Sequence, residues 1–177
     1  IKLTTIKPSG TLSLLPGVTP GIHPSPAGPF YIRRIRIASD SPLINVCKEH
    51  GYPVEYQRRF DGSTDPSTMI VSFPCKVAID TPIAANYSWR DQLDLIRRMQ
   101  REWSDNSVSC TVYYKLEDLS EIKEYLRQHL TSEIKTVSFL LYSGHGFDQA
   151  PYETITEEQY NLMKEVSTPI TAVELKE

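Results

Sequence analysis

The sequence is poor in cysteine and in long apolar runs, and each shortage excludes a class of protein. Its three cysteines, Cys47, Cys75 and Cys110, are widely spaced and match neither a disulfide framework nor, with the four histidines, a zinc pattern. We therefore expect reduced, mostly buried thiols and no bound metal. No apolar run is long enough to span a bilayer, and no secretion signal precedes the first strand. The sequence predicts a cytoplasmic protein without a membrane partner.

Positive charge is also scarce, since 19 Lys and Arg residues face 22 Asp and Glu residues, for a net charge of -3. Broad nucleic-acid binding needs a concentrated positive field, so we expect no nucleic-acid partner. The local exception is a strand pattern carrying Arg33, Arg34 and Arg36. The preferred interpretation is a solvated strand face; the alternative is that these arginines supplement an anion site.

The remaining composition is that of a globular domain, with 40% hydrophobic residues in 177. Alternating and helical periodicities predict strands at 30–38, 54–58, 69–77, 107–114 and 136–142, and helices after Pro42 and at 88–103, 117–130 and 157–166. The second half alternates helix and strand, which is typical of parallel crossover units. We expect strand 136–142 to be buried on both faces and Trp103 to lie on the apolar side of its helix.

The stretch that opens the chain combines a short predicted strand, 3–6, with a turn and a helix start. Pro8 and Gly10 break the strand, and Thr11 can cap a helical turn. Free amides at a helix start attract anions, Gly10 permits close approach, and Ser9, Thr11 and Ser13 supply hydroxyls. The lysine of a nucleotide-hydrolase P-loop is missing. The pattern by itself favours a simple capped turn, and a phosphate loop is the alternative.

The wider string from Pro8 to Pro24 resembles the substrate-phosphate loop of ribonucleotide reductases, specifically the monomeric, adenosylcobalamin-dependent (class II) ribonucleoside-triphosphate reductases. The likeness covers nearly the whole chain in order. It continues in 30–43, 102–109, 111–114, 138–141, 145–147 and 149–153.

This resemblance implies the C-terminal part of a ten-stranded α/β barrel, with a mostly parallel sheet, flanking helices and residues 1–177 as a single region. It implies an oxidoreductase that makes deoxyribonucleoside triphosphates through a thiyl radical initiated by adenosylcobalamin, with a thioredoxin-type reductant. By the motif match, the substrate phosphates are bound by Ser9, Gly10, Thr11, Leu12 and Ser13; weaker candidates are Pro8, Arg34 and His145.

Two motifs of that family are absent, the Asn-Pro-Cys-Gly-Glu type of sequence with the radical cysteine and the C-terminal cysteine pair. The chain therefore carries no catalytic residue of its own, and we predict that it cannot reduce nucleotides alone. It looks like part of a longer enzyme.

Two other interpretations compete with the reductase. The Ser-Gly-His-Gly run at 143–146 resembles the histidine motif of caspase-like proteases, but in that family the cysteine follows the histidine, whereas every cysteine here precedes His145. The chain could also be an autonomous, non-catalytic phosphate- or partner-binding α/β module. His23 is predicted to have a turn or surface role, with orientation of a phosphate as the alternative, and Asp105 is predicted to close a turn.

Overall fold

The computed structural model describes residues 2–9, 13, 18–78, 80–142 and 148–174. The chain divides into two compact units, the first formed by Ile1–Pro26 and Val77–Gly144 and the second by Ala27–Lys76 and His145–Glu177. Within the described ranges, no helix has the length and apolar character needed to cross a membrane.

The first unit is built on a parallel crossover. Strand β4, Thr111–Tyr114, runs parallel to β5, Ser138–Leu141, and helix α3, Leu119–His129, connects them after a short 3-10 helix, Leu116–Asp118. Helix α2, Trp89–Glu102, precedes β4. This arrangement confirms the predicted α/β character of the second half of the sequence.

An apolar core joins α2, β4 and α3. The buried side chains of this core form one hydrophobic cluster. They are Trp89, Leu93, Ile96, Val108, Cys110, Val112, Ile122, Tyr125 and Ile134. The helix α2 begins as predicted, because the Ser88 hydroxyl accepts a hydrogen bond from the Asp91 amide at 3.1 Å, as an N-cap does.

The second unit is an antiparallel sheet with the strand order β2-β3-β1-β6. The strands are β1 (Phe30–Ala38), β2 (Val54–Arg58), β3 (Thr64–Lys76) and β6 (Tyr152–Thr154). Helix α1, Leu43–Glu49, packs Ile44 and Cys47 against Met69 and Val71 of β3. Helix α4, Glu157–Val166, follows β6.

The prediction of a mostly parallel sheet is not confirmed. Strands β2 and β3 are joined by a tight turn, and such a connection can only make antiparallel neighbours. Of the two described sheets, only β4-β5 is parallel. Strand β6, which pairs antiparallel with β1, was not predicted.

Three further predictions are wrong in detail. The strand at 3–6 is reduced to one parallel bridge between Ile6 and Val108. Strand β5 alternates between exposed and half-buried residues, so only one of its faces is covered. Trp103 is 62% exposed, because it lies past the last turn of α2 and has left the apolar stripe.

Candidate functional site

The predicted phosphate loop is described at Ser9 and Ser13, whereas Gly10, Thr11 and Leu12 lie outside the described residues. The Ser13 amide donates to the Ser9 hydroxyl oxygen at 3.2 Å, and the Ser13 hydroxyl donates to the Ser9 carbonyl. Ser13 is buried. The Ser13 amide and hydroxyl therefore both have acceptors within the chain.

The segment leading into the loop is held by Asp105. Its carboxylate accepts from the Leu3 amide at 3.1 Å and from the amide and hydroxyl of Thr4 at 3.4 and 3.2 Å. The Leu3 amide, the Thr4 hydroxyl and the Thr4 amide lower the pKa of the Asp105 carboxyl, because hydrogen bonds to a carboxylate favour its charged form. The Lys135 ammonium donates to the Asp105 carbonyl at 2.6 Å. Asp105 therefore holds the chain that enters the loop.

The segment leaving the loop is held by a turn at Pro20–His23. Gly21 adopts a left-handed φ of 59°, and an added Cβ would lie 3.2 Å from the Lys7 carbonyl oxygen. The His23 amide donates to the Pro20 carbonyl at 3.2 Å. The turn thus packs against the residues just before Ser9, and the two ends of the loop contact each other.

The His23 imidazole bridges this turn to β4. Its Nδ1 lies 2.8 Å from the Pro20 carbonyl oxygen, and its Nε2 lies 2.9 Å from the Thr111 amide nitrogen. The predicted turn role of His23 is confirmed, but the partner of its ring lies 88 residues away in sequence.

Three different acceptors bind the backbone amides on the outer edge of β4, which is the edge that faces away from β5. The Ser109 amide, just before the strand, donates to the Ile6 carbonyl at 2.9 Å, and the Thr111 amide donates to His23. The Tyr113 amide donates to the Gln92 side-chain oxygen at 3.0 Å, and the Gln92 amide group returns a bond to the Tyr113 carbonyl at 3.2 Å. Backbone, imidazole and carboxamide together replace a neighbouring strand.

A cleft of about 280 Å³ opens at the carboxyl end of β4. It is lined by the start of α2, by the end of β4 and by one tyrosine after β5, namely Ala84, Ala85, Asn86, Tyr87, Ser88, Trp89, Tyr113, Tyr114, Lys115, Glu117, Asp118 and Tyr142. The carboxyl ends of parallel strands are where open α/β sheets gather ligands. No motif in the sequence predicted this cleft, because its lining comes from three separate segments.

Arg34 lies on β1 in the second unit. Its guanidinium pairs with Glu153 and donates to the Ala150 carbonyl at 3.0 Å, and its side chain is 13% exposed. Arg33 stacks over the Tyr152 ring at 4.3 Å. The expected solvated face is therefore wrong for Arg34. Pro8 is exposed, and His145 lies outside the described residues.

The cysteines are free thiols, as expected. Cys47 and Cys110 are buried, and Cys75 is half-buried beside Tyr31. Burial raises the pKa of Cys110 to about 11 and also raises the pKa of Cys75. Neither thiol is a thiolate near neutral pH, so neither has the character of a nucleophile.

No protein-family model matches the chain. Curated relatives do match. Over 162 residues, covering 90% of the chain, it is 40% identical to an adenosylcobalamin-dependent ribonucleoside-triphosphate reductase of Euglena gracilis. It is also 40% identical, over 165 residues, to the enzyme of the same name from Levilactobacillus brevis. The chain spans 21% of the length of each.

A solved structure of a B12-dependent (class II) ribonucleotide reductase is similar as well. The superposition has a TM-score of 0.80 at 31% identity, and it covers 97% of this chain and 24% of that one. Fold and sequence together show that the chain is similar to one segment of B12-dependent (class II) ribonucleotide reductases. More narrowly, the chain is homologous to a segment of the adenosylcobalamin-dependent ribonucleoside-triphosphate reductases that makes up about a fifth of their length. The predicted resemblance is confirmed.

Proposed function

We propose that the protein containing this chain converts ribonucleoside triphosphates to 2′-deoxyribonucleoside triphosphates, and that this segment supplies the substrate-phosphate loop. The observation that carries the proposal is the 40% identity to named reductases along 90% of the chain. The 0.80 TM-score to a class II enzyme supports it independently.

The loop from Ser9 to Ser13 is suited to this role by the way its ends are held. Asp105 fixes the chain before it, and the Pro20–His23 turn fixes the chain after it. A phosphate oxygen can replace the Ser9 oxygen as acceptor for the Ser13 amide, and the Ser9 hydroxyl is then free to donate. Fixing the triphosphate in this way would fix the ribose, and positioning of a reactant can supply a large part of a rate enhancement.

Adenosylcobalamin, in this proposal, supplies the radical that starts a thiyl mechanism when it is bound. The described residues do not form a site for it. The cleft of about 280 Å³ is below the usual range for even a drug-sized ligand, and a corrin is larger. Both ring nitrogens of His23 and of His50 already face protein oxygen or nitrogen atoms. We assign the cofactor contacts, the radical cysteine and the thioredoxin-type reductant to the rest of the protein.

We further infer that residues 1–177 form a single region of a ten-stranded α/β barrel in a cytoplasmic enzyme. The parallel β4-α3-β5 crossover supports this proposal, because it is the repeating unit from which such barrels are built. The outer edge of β5 supports it too. Alternation places the Phe139 and Leu141 amides there, facing away from β4, where a further strand can pair.

The phosphate-loop assignment is tested by substituting Gly10 in the full-length protein. We expect Gly10→Leu to weaken binding of a ribonucleoside triphosphate by roughly a hundredfold, because a side chain fills the space through which the backbone approaches the anion. Isothermal titration would measure this, with the unphosphorylated ribonucleoside as the second ligand. Its affinity should stay unchanged.

The matched control is Gly62→Leu, because nothing lies within 4 Å of an added Cβ at Gly62. This variant should bind the triphosphate as the parent does. Equal triphosphate affinity in the folded Gly10→Leu variant and the parent would overturn the assignment.

A further inference from the structure

The ring of His23 has a defined hydrogen-bonding state. The Thr111 amide can only donate, so Nε2, at 2.9 Å, must accept and cannot carry a proton. The Pro20 carbonyl can only accept, so Nδ1, at 2.8 Å, must carry the proton. The geometry is satisfied by one form alone, the neutral imidazole protonated on Nδ1.

This bridge connects the Pro20–His23 turn to the first residue of β4. Thr111 is the first residue of β4, and its amide faces the outer edge of the strand. Pro20 begins the turn that follows the loop. Since Gly21 in that turn packs on Lys7 and Pro8, the ring also fixes, through the turn, the residues that precede Ser9.

We propose that His23 is a positioning residue for the substrate triphosphate: its neutral ring holds the turn that follows the loop, and through that turn the residues before Ser9, in a fixed place relative to β4 without touching the ligand. This inference rests on the proposed function, because it takes that loop to be the phosphate site. Neighbouring contacts support the role. Ser25 continues the same segment and is fixed by the Pro82 carbonyl at 2.7 Å and the Ala84 amide at 2.8 Å. Ile22 packs against the apolar core, and the His23 ring supplies the described hydrogen bond from the turn to β4.

The test uses three variants of the full-length protein. His23→Ala removes both bonds. His23→Gln places a carboxamide oxygen where it can accept from the Thr111 amide, and His23→Asn retains only a donor toward Pro20. Binding of a ribonucleoside triphosphate and of the unphosphorylated ribonucleoside is measured for each, together with the steady-state KM and kcat.

We expect His23→Ala to weaken triphosphate binding and raise KM by roughly tenfold, the loss expected for two hydrogen bonds that order a loop. Nucleoside affinity should not change, and kcat at saturation should stay within about twofold of the parent. His23→Gln should recover most of the affinity, and His23→Asn should not. Equal losses for nucleoside and triphosphate, or no rescue by His23→Gln, would overturn the proposal.

A measurement on the unmodified protein decides the matter even if His23→Ala does not fold. Nitrogen NMR of selectively labelled histidine should show the His23 ring neutral, with its proton on Nδ1. A proton on Nε2 contradicts the proposal. If Gly10→Leu leaves triphosphate binding intact, the phosphate-loop function fails; if Gly10→Leu weakens it and His23→Ala does not, only the role of His23 fails.

Discussion

Two glycines with a left-handed backbone differ in what surrounds them, and the difference determines how each tolerates a side chain. Gly51 ends α1 with a φ of 78°, and an added Cβ would lie 2.0 Å from the Val166 carbonyl oxygen of α4. Gly62 has a φ of 81° in the turn between β2 and β3, with open space around it. Gly51 directly follows the C-cap residue His50, where a left-handed glycine commonly ends a helix. The close backbone contact has no sequence signal, because Val166 is distant in the chain.

We predict that Gly51→Ala lowers the free energy of unfolding by more than about 3 kcal/mol, since backbone strain adds to a contact that cannot relax without separating α1 from α4. Gly62→Ala introduces backbone strain without a steric contact, and it should lower the free energy of unfolding by about 1 kcal/mol. Urea denaturation of both variants measures the difference. Equal losses of unfolding free energy in the two variants would contradict the prediction, because they would show that the contact with Val166 relaxes at no cost.

Asp105 gives a prediction for pH dependence. Hydrogen bonds from Leu3 and Thr4 lower the pKa of its carboxyl below the ordinary 3.8, so the folded state favours the charged form. The stabilisation is present above 3.8 and is lost as the pH falls through the lower folded-state pKa. Asp105→Asn should therefore lower the melting temperature at pH 7 and have less effect as the pH falls below 3.8.

Thermal unfolding of the parent and the variant between neutral and acid pH checks this prediction. Asp40→Asn is the control, because Asp40 is exposed and its side chain makes no hydrogen bond within the described structure. If the difference in melting temperature between Asp105→Asn and the parent were the same at every pH, the predicted coupling between the Asp105 charge and stability would be contradicted.

At the scale of elements, the success of prediction depended on whether the signal was local. The bounds of β1 and α4 were predicted correctly, because β1 alternates apolar and charged residues and α4 begins with a capping box of Thr156 and Gln159. Strand β6 is three residues long and is defined by its pairing with β1, so periodicity could not reveal it. The apolar run of β5 was misread as two-sided burial, because composition does not tell which faces are covered.

The contact between α2 and β4 depends on one buried carboxamide. Gln92 is 2% exposed and bonds both the amide and the carbonyl of Tyr113. We predict that Gln92→Leu, which keeps the volume and removes both hydrogen bonds to the Tyr113 backbone, destabilises this edge by about 1–3 kcal/mol. Hydrogen exchange of the β4 amides should accelerate roughly tenfold or more. Gln128→Leu on the exposed face of α3 serves as the control and should leave that exchange rate unchanged.

At the scale of the whole molecule, the family resemblance was predictable from short strings, whereas the long-range contacts that hold the segments on either side of residues 9–13 were not. Pro8 to Pro24 carried the resemblance directly. The partners of His23 and Asp105 lie about a hundred residues away in the chain, and no pattern in one sequence indicates such pairs. The four-strand order of the antiparallel unit was missed for the same reason, because strand order is a property of long-range pairing.

We predict that the isolated chain of 177 residues does not reduce ribonucleoside triphosphates when adenosylcobalamin and a dithiol reductant are supplied. It spans a fifth of its relatives and lacks the Asn-Pro-Cys-Gly-Glu type of sequence expected to carry the radical cysteine. Deoxynucleotide formation would be followed by chromatography, with the full-length protein as positive control. Turnover by the isolated chain would refute the assignment of the chemistry to the rest of the protein.

The closed edge of β4 also limits how this sheet can aggregate. With Ile6, His23 and Gln92 occupying its outward amides, the described part of the chain leaves the side of β5 as the margin where a foreign strand can join this sheet. Two copies that met through β5 would use up the margin that the described residues leave on each. Self-association by this sheet would then stop at a pair and would not propagate into a fibril.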